Sequence, residues 1–120
     1  MNAAEVWEGF AKALEGHPWV SVDDLARELN AGEATICKGE RSAVFVRLSL
    51  SPVLECGPAC GDIDEVTGPL RAEIEHFAAQ HGFTEIHIQA GRQGFARKLR
   101  PHGYEEAAVI LRKRINGTQQ

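Results

Sequence analysis

Near the end of the chain, the segment GRQGFARKLRPHGY at residues 91–104 stands between two strand-like runs. Few folds can use that order. In the first run, residues 84–90, Ile86 and Ile88 fall on one side and His87 and Gln89 on the other, the period of a half-buried strand. Inside the segment, Phe95, Ala96 and Leu99 lie three to four apart and form one apolar helical face. Pro101 cannot donate to a helical ladder, and Gly103 permits a left-handed reversal, so the helix should end near Arg100. The second run, residues 106–115, contains AAVILRKRI; it is rich in β-branched residues and long enough to cross a sheet.

Upstream, residues 3–15 put Val6, Phe10, Ala13 and Leu14 on one face, with Glu5, Glu8, Lys12 and Glu15 elsewhere, as an amphipathic helix requires. Gly16 should end it. Ser21 with Asp24 reads as a capping box opening a second short helix, whose stripe is Leu25, Ala26 and Leu29 and whose stop is Gly32. Residues 34–38 and 42–50 flank Gly39 as a β-hairpin, with Val44, Val46, Leu48 and Leu50 on one face. A third strand should begin at Val53 and be distorted after Cys56 by Gly57 and Pro58, since proline in a strand implies an edge or a bulge. Leu70, Ile74, Phe77 and His81 predict a helix over 69–81, with Pro69 in its first turn and Gly82 as its stop. Because that helix joins strands 53–57 and 84–90, the two should be parallel.

These elements describe one α+β domain over residues 1–115, a central mixed β-sheet flanked by helices, with 116–120 as a loose tail. The expected core is Phe45, Leu48, Leu70, Ile74, Phe77, Ile86, Ile88, Leu99, Val109 and Leu111. Trp7 and Trp19 are either core or interface aromatics. At 120 residues, with 43% hydrophobic and 25% charged content, the chain can bury a core unaided. No apolar run reaches membrane-spanning length and MNAAEVWEGF is not a secretory signal, so the expectation is a cytoplasmic protein without a membrane partner. Three cysteines, Cys37, Cys56 and Cys60, form no closed disulfide set and read as reduced.

The run 84–90, Arg92, Phe95, Leu99 and the Gly103–Tyr104 turn, preceded by the helix 69–81, together resemble the C-terminal half of the GNAT superfamily of N-acetyltransferases. More narrowly, GRQGFAR followed by HGY is similar to short GNAT-like proteins of bacteriophage and prophage genomes. The resemblance spans roughly residues 34–115. It implies a GNAT-like sheet in which two parallel strands splay to admit acetyl-CoA, and the Trp19–Val20 pair would be the remnant of the usual first strand. It also places a pyrophosphate-binding loop at CGPACGDIDEVTGPL, residues 56–70, where Gly61, with Arg92 at the cleft, would hold acetyl-CoA if that cofactor binds.

The residues in that loop oppose such binding. Asp62, Asp64 and Glu65 stand where the superfamily has neutral or positive groups, and carboxylates repel phosphate. They read as caps on the following helix; an unusual ligand or metal site and residual cofactor binding are the other readings. Many GNAT enzymes use a tyrosine in the short helix as general acid for the departing thiolate, whereas this chain has Leu99 at or next to that place. Its single tyrosine, Tyr104, sits in the turn and reads as a packed aromatic with a solvated hydroxyl. Cys56 and Cys60 lack a second ligand pair for zinc, and His76 and His81 share no helical face, so no metal is expected.

Charge supplies the remaining functional signal. The chain is −4 overall, yet residues 92–120 hold seven Lys/Arg against two Glu. The negative total argues against duplex nucleic acid. Arg92, Arg97, Lys98 and Arg100, with Arg112, Lys113 and Arg114 beyond, form a local basic set suited to an acidic partner or, on the bland reading, a solvated helix and charged edge strand. Three functions follow in order: a noncatalytic phage or prophage GNAT-like protein with a protein partner, acting in interaction or virion assembly and located in the host cytoplasm or the virion; a small N-acyltransferase using acetyl-CoA on an unknown amine; and a nucleic-acid accessory module. The first requires no cofactor.

Overall fold

A computed structural model describes residues 1–16, 20–89, 93–108, 111, 113 and 115 of the chain. Its elements are α1 (Ala3–Ala13), α2 (Val22–Asn30), β1 (Ala34–Lys38), β2 (Ser42–Arg47), β3 (Val53–Gly61), a helical turn α3 (Ile63–Glu65), a π-helical turn (Val66–Leu70), α4 (Arg71–Gln80), β4 (Glu85–Ile88), α5 (Gln93–Leu99) and a 3-10 turn (Arg100–His102). The fold class is α+β. Four strands form one mixed sheet in the order β1-β2-β3-β4, antiparallel at the first two pairings and parallel between β3 and β4. The expected parallel pair is therefore present, with Val53 opposite Glu85 and Cys56 opposite Ile88. Among the described residues no helix is long and apolar enough to cross a membrane.

β2 shows why the domain has three layers. Successive strand residues point to opposite faces, and both faces of β2 are buried. Ala43 and Phe45 pack with Val6 and Phe10 of α1 and Leu25 of α2. Val44 and Val46 pack with Val66, Leu70, Ile74 and Ala78 of the helical run on the other side. Phe95 of α5 packs on this second cluster, and Leu99 is buried. α1 lies very close to the sheet at Gly9, where an added Cβ would come within 2.6 Å of the Cys60 Sγ. Trp7 belongs to this layer, packing edge-on against Phe10 at 5.9 Å.

The capping box expected at the second helix is present, and the first helix has one that was not anticipated. Asn2 and Glu5 form a reciprocal capping box at α1, and Ser21 and Asp24 form one at α2. The helix expected at 69–81 starts earlier, because Asp62 caps a continuous helical run from Ile63 to Gln80. Pro69 falls inside that run rather than in its first turn. A proline ring in an α-helix collides with the carbonyl four residues back, and here the run widens into a π turn at that place, which relieves the collision. His81 lies just past the helix as its C-cap, and Gly82 adopts φ +78° as the left-handed stop.

Other boundaries also differ. β2 ends at Arg47 rather than at residue 50, leaving Leu50 half exposed in the turn before Pro52. β3 does not stop at the Gly57–Pro58 interruption but continues to Gly61 through a bulge, where those two residues face Phe45 alone. Proline is tolerated there because β4 no longer pairs with β3 beyond Cys56, so no ladder bond needs its missing N–H. The strand expected at about 105–114 is not formed by the described residues 105–108, 111 and 113, and Leu111, expected in the core, is 90% exposed. Strand propensity alone does not make a strand. Val109 and Trp19 lie outside the described residues, as do residues 116–120. Of the remaining expected core, Phe45, Leu70, Ile74 and Leu99 are buried, and Leu48, Phe77, Ile86 and Ile88 are half-buried against the second cluster.

Candidate functional site

The segment linking β3 to the helical run holds the densest set of polar side chains facing one another. Gly61 turns the chain out of the sheet with φ +94°, and a Cβ there would lie 2.1 Å from the Arg41 carbonyl oxygen. Only glycine fits such a place. Next, the Asp62 Oδ1 accepts hydrogen bonds from the backbone N–H groups of Asp64 at 2.8 Å and Glu65 at 3.2 Å. Its Oδ2 accepts from the Arg41 Nε at 3.1 Å. The Asp62 N–H donates to the Arg41 carbonyl at 3.0 Å, so the helix start and the β1–β2 hairpin hold each other from both sides.

Glu65 completes the lock. Its Oε1 accepts from the Arg41 N–H at 2.9 Å and from the fully buried Ser42 hydroxyl. Gly39 makes room for it, since a Cβ at that position would meet the Glu65 carboxylate at 2.4 Å. The Glu65 N–H, followed by the Arg41 guanidinium, holds the Asp62 carboxyl below the usual range; the Ser42 hydroxyl, followed by the Arg41 N–H, does so for Glu65. Both are therefore anionic near neutral pH. Asp64 points elsewhere, to the Lys98 Nζ of α5 at 2.8 Å. Of the three loop carboxylates expected as caps, Asp62 caps, Glu65 ties the helix to the hairpin, and Asp64 recruits α5.

α5 presents the basic surface. Arg97, Lys98 and Arg100 are exposed, and Lys98 is tied to Asp64. Neither Arg97 nor Arg100 has an ion-pair partner among the described residues. Arg92, expected beside Gly61 and within the basic set, lies outside the described residues, as do Arg112 and Arg114. Following the turn, the Tyr104 hydroxyl donates to the Glu75 Oε2 at 2.9 Å, which corrects the expectation of a solvated hydroxyl. Burial, then the bond to the Glu75 carboxylate, raises its pKa above the ordinary value. Glu75 also accepts from Arg71 Nη1 at 2.9 Å, and Arg71 Nε donates to the Thr67 carbonyl at 2.8 Å. Tyr104 is thus part of a structural chain from α4 to the turn.

The thiols are held neutral. Burial pushes the buried Cys56 thiol up to about 12 and raises Cys37 and Cys60 as well. Among the described residues no group of three or more His, Cys, Asp or Glu side chains could hold a metal ion. His81 is occupied with the Phe77 carbonyl at 2.9 Å and stacks on the Phe77 ring.

Sequence reasoning missed Arg41 and Ser42, and also a second cluster in which half-buried Arg47 binds both Glu28 of α2 and Glu55 of β3, with its guanidinium 5.6 Å from the centre of the Phe45 ring. The signal for the latter was available. An arginine closing the apolar run SAVFVR has to find a carboxylate if it stays in the sheet.

No family model matches the chain, and no curated protein matches it. Among solved structures, the chain is similar to a point mutant of TTHA1254 from Thermus thermophilus, with a TM-score of 0.54 and 16% identity over 83% of each chain. At that identity the likeness concerns the fold alone.

Proposed function

We propose that this chain is a noncatalytic GNAT-like domain, of the kind found in phage or prophage genomes, that acts as an interaction or assembly component in the host cytoplasm or the virion. The observation that carries the reading is the state of the helix start after β3. Backbone N–H groups at such a place attract phosphate when they are free. Here the Asp62 carboxylate takes those of Asp64 and Glu65, and Glu65 beside it adds a second negative charge locked to the hairpin. A pyrophosphate would have to displace one anion while approaching another. The tyrosine that could act as an acid is also committed to Glu75.

With that cleft closed to anions, the exposed cations of α5 and its turn are the surface left for recognition. Arg97 and Arg100, with Lys98 and the neighbouring Arg92, would meet an acidic protein surface. A second reading, a small N-acyltransferase, is favoured by one observation: β3 runs on to Gly61, beyond Cys56, its last residue paired with β4. In that case Gly61 and Arg92 would be cofactor-side residues.

Thermal melting with and without acetyl-CoA separates the two. A ligand present at 100 times its dissociation constant adds about 2.7 kcal/mol of apparent stability. The noncatalytic reading expects an unchanged melting temperature; a clear rise would establish the acyltransferase reading in its place.

A further inference from the structure

An acidic face and a basic patch lie on opposite sides of the sheet, although the side that holds the basic patch also carries Glu73 and Glu75 of α4. On the α1–α2 side, residues 3–33 include seven carboxylates against Lys12 and Arg27. Asp24 is taken by Arg27 and Glu28 by Arg47, whereas Glu8, Glu15, Asp23 and Glu33 are exposed and have no ion-pair partner among the described residues. On the opposite side, residues 93–104 contain Arg97, Lys98 and Arg100 and no carboxylate. α1 packs on the Phe45 face of β2 and α5 on the Val44 and Val46 face, so the sheet stands between the two patches. They cannot neutralise each other within one chain.

We propose that the basic α5 surface of one copy docks on the acidic α1–α2 face of a second copy. This rests on the reading of the chain as a noncatalytic interaction domain and names its partner. Arg97 and Arg100 supply the cations without an ion-pair partner among the described residues, while Asp64, tied to Lys98, borders the patch and the exposed Glu105 and Glu106 follow it in sequence. Each contact uses a different face of each copy, so every chain in a pair keeps one unused acidic face or one unused basic face. Such heterologous contacts propagate into a ring or an open-ended array, and exposed charge pairs of this kind weaken as salt screens them.

Sedimentation velocity of the full chain tests this. At low ionic strength the wild type should sediment as species larger than a monomer, collapsing to monomer as salt is raised. Arg97→Glu/Arg100→Glu and Glu8→Lys/Glu15→Lys should each be monomeric alone, with far-ultraviolet circular dichroism showing that both are folded. Mixed, they should form a one-to-one dimer and nothing larger, because the first retains its acidic face and the second its basic one. A wild type that stays monomeric at low salt, association that survives either charge reversal, or a mixture that stays monomeric would each overturn the proposal. Titrating acetyl-CoA into the same wild-type preparation keeps the two readings apart. Bound acetyl-CoA would remove the noncatalytic reading, whereas a monomer that ignores acetyl-CoA would remove the self-docking proposal alone.

Discussion

Glu65 is the residue that holds the helical run to the hairpin, since one carboxylate joins the hairpin N–H of Arg41 and the hydroxyl of Ser42 to it. Its ordinary pKa of 4.5, and the 3.8 of Asp62, are both lowered in the folded chain. A carboxyl with a depressed folded pKa stabilises the fold above its unfolded pKa and loses that contribution as pH falls through the folded value. Urea midpoints followed downward from neutral pH should therefore decline below about pH 4, and Glu65→Gln should lower the midpoint at pH 7 while flattening the acid decline. An acid limb identical in the variant and the wild type would mean that Glu65 is not the group being titrated. Tyr104→Phe removes one hydrogen bond to a carboxylate that Arg71 still satisfies, and should cost about 0.5–1.5 kcal/mol in chemical denaturation. At Gly61, alanine meets both the left-handed backbone and the Arg41 carbonyl, so a loss of about 2–4 kcal/mol is expected. At this scale the sequence revealed that Asp62, Asp64 and Glu65 oppose phosphate and serve the helix. Their division of labour was not legible, because the partners Arg41 and Ser42 lie more than 20 positions away and become neighbours only when β2 and β3 pair.

Elements were more readable where local chemistry decides them. The capping box at Ser21–Asp24, the glycine stops and the hairpin all follow from short-range rules, and the parallel pair follows from the helix that joins it. Two of the misjudged boundaries lie at prolines. The bulge anticipated at Pro58 is present but lets β3 run on to Gly61, and Pro69 is absorbed by a π turn inside a helical run that begins at Ile63. Packing between elements gives two tests. Ile74 lies buried beneath α4 against β2 and β3, so Ile74→Ala should cost about 2–5 kcal/mol; an unchanged midpoint would place that face in solvent. Gly9→Ala should force α1 away from Cys60 and cost about 1–3 kcal/mol, seen as a lower urea midpoint. Residues 105–115 show the limit of propensity: an apolar, β-branched run was read as a strand, yet its described residues are exposed. A strand is made by its neighbours as much as by its sequence.

Across the whole molecule, the sheet separates the acidic α1–α2 face from the basic α5 patch and ends β3 in a helix start already filled by its own carboxylate. The charge imbalance along the chain was visible in the sequence, but its placement on opposite sides of a sheet required the topology. A fold shared with TTHA1254 at 16% identity fixes neither activity nor partner, so function has to be read from the helix start itself. Isothermal titration of acetyl-CoA into the wild-type chain at neutral pH tests it most directly, because Asp62 and Glu65 are then ionised and the helix start is closed. The predicted result is no binding heat beyond dilution; saturable binding at micromolar concentration would contradict the closed site and make the chain an acyl-CoA-binding protein.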